Sequence, residues 1–390
     1  MPAAFLPPAA RGLEPRFTLN GSDTLELHLA QLCTRVRAGV RSVLPQNLDG
    51  LALAGGYGRG EGGVLKTPAG DRPYNDLEFY VFVRRCPWFN ERRCRSPLHA
   101  LSAQLEPMAG VELEFKLTSV AKLRRSPLNL FSHDLVMGHR WLLGDDRLLH
   151  GCDHHRAASR LPLSEATRLL MNRCSGLLFA RERLEHSAWS DADADFVGRN
   201  IAKTELALGD AVLIVSGAYN WSCRERGRRL AALVPGPDLP WLPEVRRRHA
   251  AGVAFKLEPT LPAVSRAAAH AHFHETSALA LRVWLWLEQR RLGCEFRSAA
   301  DYAANRLDKW RGTTPWRNRL TALRVFGPRG LRLLPRGQHP RERILNALAL
   351  LLWSSPQDSG AAAQRVRREL LWPGPVPLIP AYRQRWRWTS

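Results

Sequence analysis

The sequence predicts an α+β protein: a small mixed sheet with flanking helices, followed by an all-helical region. Two runs, "DLEFYVFV" from Asp76 and "VELEFKLTSV" from Val111, carry apolar residues at every second position and read as strands. A third apolar run, "GLALAG" from Gly50, ends in a burst of glycines. From Ser164 onward the apolar residues recur at helical spacing instead.

Within the first 45 residues, Leu25, Leu29, Leu32, Val36, Val40 and Val43 line one face of an amphipathic helix over 22–44, with Asp23 and Glu26 placed as a capping box. Residues 46–160 then alternate strand, glycine turn, strand, a helical stretch around Pro97 to Pro107, and strand, which describes a compact α/β or α+β domain. Residues 161–352 form the helical domain. Its segments are "SEATRLLMNRCSGLLFARERLEH", "NIAKTELALGDAVLIVSGAY" and "ETSALALRVWLWLEQRRL". Prolines and arginines between Pro235 and Pro262 read as an irregular connection, "PRGLRLLPRGQHP" as another, and residues 353–390 as a proline-rich, then basic and aromatic tail.

Composition narrows the partners. Lys and Arg total 57 against 36 Asp and Glu, a formal charge of +21 that attracts polyanions such as RNA or nucleoside triphosphates. The seven cysteines show no C-x-x-C spacing, which argues against a disulfide framework or a zinc knuckle. No signal-peptide pattern and no uncharged bilayer-length stretch occurs, so the expectation is a cytoplasmic protein with no membrane partner.

The chemistry concentrates between Leu51 and Glu114. On a strand, Asp76 and Glu78 project from one face, as do Glu112 and Glu114 from theirs. If the two strands are neighbours, a third carboxylate joins the first pair, and such a set holds magnesium through hard oxygen ligands. The glycine-rich "GGYGRGEGG" lets backbone N–H groups approach a phosphate closely. No G-x-x-x-x-G-K-[ST] loop is present.

This strand, Gly-Gly turn and Asp-x-Glu pattern resembles the polymerase β-like nucleotidyltransferase superfamily. Gly55-Gly56-Tyr57-Gly58-Arg59-Gly60-Glu61 is similar to the catalytic domain of PII uridylyltransferases, and Asp-x-Glu with a helical second domain is similar to kanamycin-type nucleotidyltransferases. The resemblance implies a nucleotidyltransferase-type sheet and a nucleotide bound by Gly55, Gly56, Arg59 and Lys203. It also implies two Mg2+ ions and the catalytic carboxylates Asp76, Glu78 and Glu112, with Glu114 competing for the third place. The implied reaction moves a nucleoside monophosphate from an NTP to a hydroxyl on a protein or small molecule and releases pyrophosphate. The alternatives are an RNA nucleotidyltransferase and a catalytically silent nucleotide sensor or RNA-binding protein. One departure from the family is the long spacer "GGVLKTPAGDRPYN" between Glu61 and Asp76.

Weaker signals compete. Glu205 or Asp210 could act as a base. Arg181 and His186 have the R-x4-H spacing of HEPN ribonucleases, and His133-Asp134 is the dipeptide of metal phosphohydrolases. Cys152, Asp153, His154 and His155, or His270 with His274, could ligate a metal, although neither set has full zinc spacing.

Overall fold

The computed structural model describes residues 16–84, 87–186, 188–260, 264–310, 313–332, 339–354, 359–372 and 377–388. It is an α+β chain whose described strands all precede residue 144. Two compact units divide it: Met1–Ser126 with Asp134–Asp153 and Leu257–Pro259, and Pro127–His133 with His154–Lys256 and Thr260–Ser390.

In chain order the first part runs α1 (Asp23–Val43), β1 (Leu48–Leu53), α2 (Gly55–Gly58), β2 (Val64–Thr67), β3 (Gly70–Pro73), β4 (Leu77–Val83), α3 (Pro87–Ala109), β5 (Leu113–Thr118), α4 (Val120–Arg125), α5 (Leu130–Met137) and β6 (Arg140–Leu143). The main sheet has the order β5-β4-β1-β6, with β4 and β5 parallel and the other pairs antiparallel. One face packs Leu51, Leu53, Leu77, Phe79, Val81 and Val83 against α1 and α3. On the other face Ala52, Ala54, Tyr80 and Phe82 meet Leu123, Leu135 and Val136. Burial on both faces explains why β4 is almost continuously apolar. Glu78 is its one residue that is not buried.

Two local expectations change. The cap of α1 is Ser22, which accepts from the Leu25 N–H, while Glu26 reaches back to the Phe17 and Thr18 N–H groups. The side chain of Glu26 thus anchors the preceding segment and closes no capping box. The long spacer is the β2–β3 hairpin, whose Asp71 pairs with Lys66 at 2.9 Å and accepts from the Ser22 N–H.

Beyond residue 160 the chain is helical: α6 (Leu163–Leu184), α7 (Asp191–Val215), α8 (Cys223–Ala232), α9 (Leu242–Leu257), α10 (Arg266–Leu292), α11 (Ala299–Ala304), α12 (Pro315–Phe326), α13 (Pro328–Arg332), α14 (Pro340–Trp353), α15 (Ser359–Leu370) and α16 (Leu378–Trp386). A single apolar core runs through α6, α7, α10 and α14 and extends to Leu370 and Tyr382. No described helix is long and apolar enough to cross a membrane.

The prolines misled the sequence reading of this half. The stretch between Pro235 and Pro262 contains α9, and the supposed tail supplies α15 and α16. Pro315 and Pro340 begin helices, and Pro380 sits in the first turn of α16, where no intrahelical N–H is needed. Residues 1–15 of the N-terminal segment, 261–262 of the Pro235–Pro262 stretch, 333–338 of the "PRGLRLLPRGQHP" stretch, and 355–358, 373–376 and 389–390 of the tail lie outside the described residues.

Tyr382 is fully buried, and its hydroxyl lies 2.7 Å from Ser175 Oγ, which itself donates to the Met171 carbonyl. Tyr382→Ala is therefore expected to destabilise the protein by about 3–5 kcal/mol, the range for emptying a buried aromatic site. Arg387→Ala, at an exposed position just beyond the same helix, should stay within about 0.5 kcal/mol of wild type. Denaturant melts of the two variants check this; equal stabilities would return α16 to the status of a tail.

Candidate functional site

The parallel register of β4 and β5 sets Leu77 beside Leu113 and Glu78 beside Glu114. Asp76 precedes β4 by one residue and is exposed, so it is not the buried strand carboxylate that the apolar run suggested. Ligand oxygens of Asp76, Glu78 and Glu114 all come within 4.8 Å of one another, and this is the one group of three or more such ligands among the described residues. Glu112 is exposed, lies just before β5, and is not in the group; its backbone carbonyl accepts from the Leu77 N–H. Of the two competitors for the third carboxylate, the structure gathers Glu114.

A cation that the sequence reading passed over sits among these acids. Lys116 Nζ is 3.2 Å from Glu78 Oε2 and 2.9 Å from Glu114 Oε2. Its ammonium is 5.6 Å from the Tyr80 ring centroid. Loss of hydration alone would lower the pKa of Lys116, but Glu78 and Glu114 together raise it above the ordinary value. The pairing therefore contributes stability below the ordinary lysine pKa and loses it only as pH rises through the raised one. Tyr80 is driven upward by burial and then by Glu78, Glu114 and Asp134, so it remains a neutral phenol. Lys116 has the same strand parity as Glu112 and Glu114, so the alternation in "VELEFKL" held the signal for it.

The glycine turn lies beside the acids because β1 runs antiparallel to β4, which brings its C-terminal end to the start of β4. The Ala54 N–H donates to the Glu78 carbonyl at 2.9 Å, and a Cβ on Gly55 would lie 3.6 Å from the Glu78 carboxyl carbon. Tyr57 ties the turn down: it is buried, donates to the Gly63 carbonyl at 2.7 Å and accepts from the Tyr74 N–H at 3.0 Å. Burial pushes its phenol up to about 12. Arg59 follows, with a side chain only 7% exposed, paired to Asp134 at 3.2 Å. Its buried Nε makes no hydrogen bond within the protein, a condition shared with several other arginines of the chain.

The remaining candidates fall elsewhere. Lys203 is exposed on α7 in the second unit. Glu205 accepts from Arg248 at 2.9 Å and His272 at 2.8 Å, and Asp210 pairs with Arg226 at 2.7 Å and His249 at 3.1 Å. Burial would raise the pKa of Asp210, but Arg226 and His249 hold it below the carboxylate range. Both acids anchor helix packing and are not poised as bases. His133 Nδ1 meets the His155 carbonyl, while Asp134 is taken by Arg59. Arg181 pairs with Glu185 one turn along α6. Cys152 and His155 are fully buried, and "GCDHHR" gathers no set of three ligands. His270 and His274 form a pair with Nε2 atoms 3.3 Å apart.

Two glycines of the turn are there for different reasons. Gly55 has φ of +64°, and Gly55→Ala is expected to cost about 1–2 kcal/mol through left-handed backbone strain. A Cβ on Gly58 would lie 2.2 Å from the Leu53 carbonyl oxygen, which is strand backbone and cannot yield. Gly58→Ala should therefore cost more than Gly55→Ala, measured by thermal or urea melts; the reverse order would mean that the turn is looser than its packing indicates. No family model matches this chain, and no curated protein or solved structure matches it, so its function rests on the site itself.

Proposed function

We propose that this chain is a magnesium-dependent nucleotidyltransferase that moves a nucleoside monophosphate from an NTP to an acceptor hydroxyl and releases pyrophosphate. The observation that carries the reading is the convergence of Asp76, Glu78 and Glu114 beside the glycine turn. The donor set fits: three carboxylates, all exposed or half-buried, with no sulfur or imidazole among them, match a hard divalent cation. A bound ion would supply Lewis-acid stabilisation of charge on the phosphate oxygens.

The chain's own residues do the rest. Gly55 and Gly56 present backbone without side chains next to the acids, so a triphosphate could approach closely. Arg59 is held by Asp134 with one donor unsatisfied, which suits contact with an anion. Tyr57 keeps the turn and the start of β4 in fixed relation, so carboxylates and phosphate ligands would not need to reorganise. The polymerase β-like resemblance agrees with this arrangement, with Glu114 now taking the place first given to Glu112.

The test pairs binding with chemistry. Mg2+ with an NTP should stabilise the wild-type protein by about 2.7 kcal/mol at a hundredfold excess over Kd. Asp76→Asn with Glu78→Gln should fold with nearly wild-type stability in the absence of metal, because Lys116 keeps its pair with Glu114. The double variant should lose the stabilisation by Mg-NTP, and its transfer rate should fall by orders of magnitude. Following each α-labelled NTP into protein, RNA or small molecules in a cell extract identifies the acceptor class. A wild-type protein that neither melts higher with any Mg-NTP nor transfers label would leave a silent fold.

A further inference from the structure

Lys116 changes what the acidic group can hold. Two carboxylates facing each other across neighbouring strands repel, and the position that relieves both is the one between their facing oxygens. Lys116 Nζ occupies that position, bridging Glu78 Oε2 and Glu114 Oε2 at 3.2 and 2.9 Å. Its stem leaves β5 only two residues beyond Glu114 and on the same face, so the bridge is a consequence of the strand itself. The side chain is 30% exposed, and Tyr80 lies against it. Charge agrees with position: three carboxylates and one ammonium leave a net charge of −2, which one divalent ion balances and two would exceed.

We propose that Lys116 is the second cation of this site, so that the nucleotide-free protein takes one divalent ion rather than two. The inference rests on reading Asp76, Glu78 and Glu114 as a metal site, and it departs from the two ions implied by the resemblance. Lys116 acts here as a positioning residue. It holds Glu78 and Glu114 together when no metal is bound, and it reserves the position between them.

Counting bound ions tests this independently of activity. Manganese(II) alone is titrated into the full chain and the bound fraction followed by electron paramagnetic resonance. Asp76→Asn with Glu78→Gln sets the baseline for ions held elsewhere on the surface. Above that baseline, wild type should bind one ion. Lys116→Met, which keeps the stem and removes the charge, should bind two, and Lys116→Arg should stay at one. Two ions on wild type overturn the inference while leaving the metal site standing, as does a single ion on both wild type and Lys116→Met. No ion above baseline on either protein removes the metal site and the inference with it. Should Lys116→Met fail to fold, the wild-type and Lys116→Arg counts still decide between one ion and two.

Discussion

The parallel pairing of β4 with β5 places Glu78 directly against Glu114, and two like charges in that register push the strands apart unless a cation lies between them. Much of the first unit can be understood from how this conflict is met. β4 is apolar on both faces except at Glu78, so the sheet cannot shift register without burying that carboxylate and exposing Phe79 or Tyr80. Lys116 answers from within β5, and the sheet leaves this end open beside a turn made of glycines. A carboxylate pair that would cost stability by itself, bridged by its own lysine, is the kind of local inconsistency that function explains better than folding.

The helical unit treats charge differently. Glu288 is fully buried, yet Thr167, Tyr302 and a bidentate Arg291 satisfy both of its oxygens. Arg226 pairs with Asp210 and Arg248 with Glu205, each through one carboxylate oxygen that a histidine also meets. Removing either member of such a pair would strand a buried charge, so the Asp210 and Glu205 pairs tie α7 to α8 and α9, and the Glu288 network ties α10 to α6 and α11. Each of these pairs contributes nothing to the formal charge of +21, so that excess lies among the other residues and remains available to attract a polyanion.

The sequence was most legible where periodicity was unambiguous. The amphipathic face of α1, the alternation in "DLEFYVFV" and the long apolar helices α6, α7 and α10 follow from spacing alone. It was least legible at prolines. A proline that ends one helix and a proline that opens the next look the same in a string, and α9, α15 and α16 were hidden by that ambiguity. Tyr57 was also out of reach, because its role depends on Gly63 and Tyr74 returning to it through the β2–β3 hairpin.

By itself the sequence determined which side chains share a strand face, because that parity is a property of the extended backbone: Asp76 with Glu78, and Glu112 with Glu114 and Lys116. It also placed a glycine-rich turn after "GLALAG", but that a Cβ on Gly58 would strike the Leu53 carbonyl depends on the folded backbone. Only the tertiary structure decided that β4 and β5 are parallel neighbours, that Glu114 rather than Glu112 faces Glu78, and that Lys116 closes the pair. Strand order and register are set by how both faces of the sheet pack against α1, α3 and the helices opposite, and that long-range packing leaves no local mark on the residues it brings together.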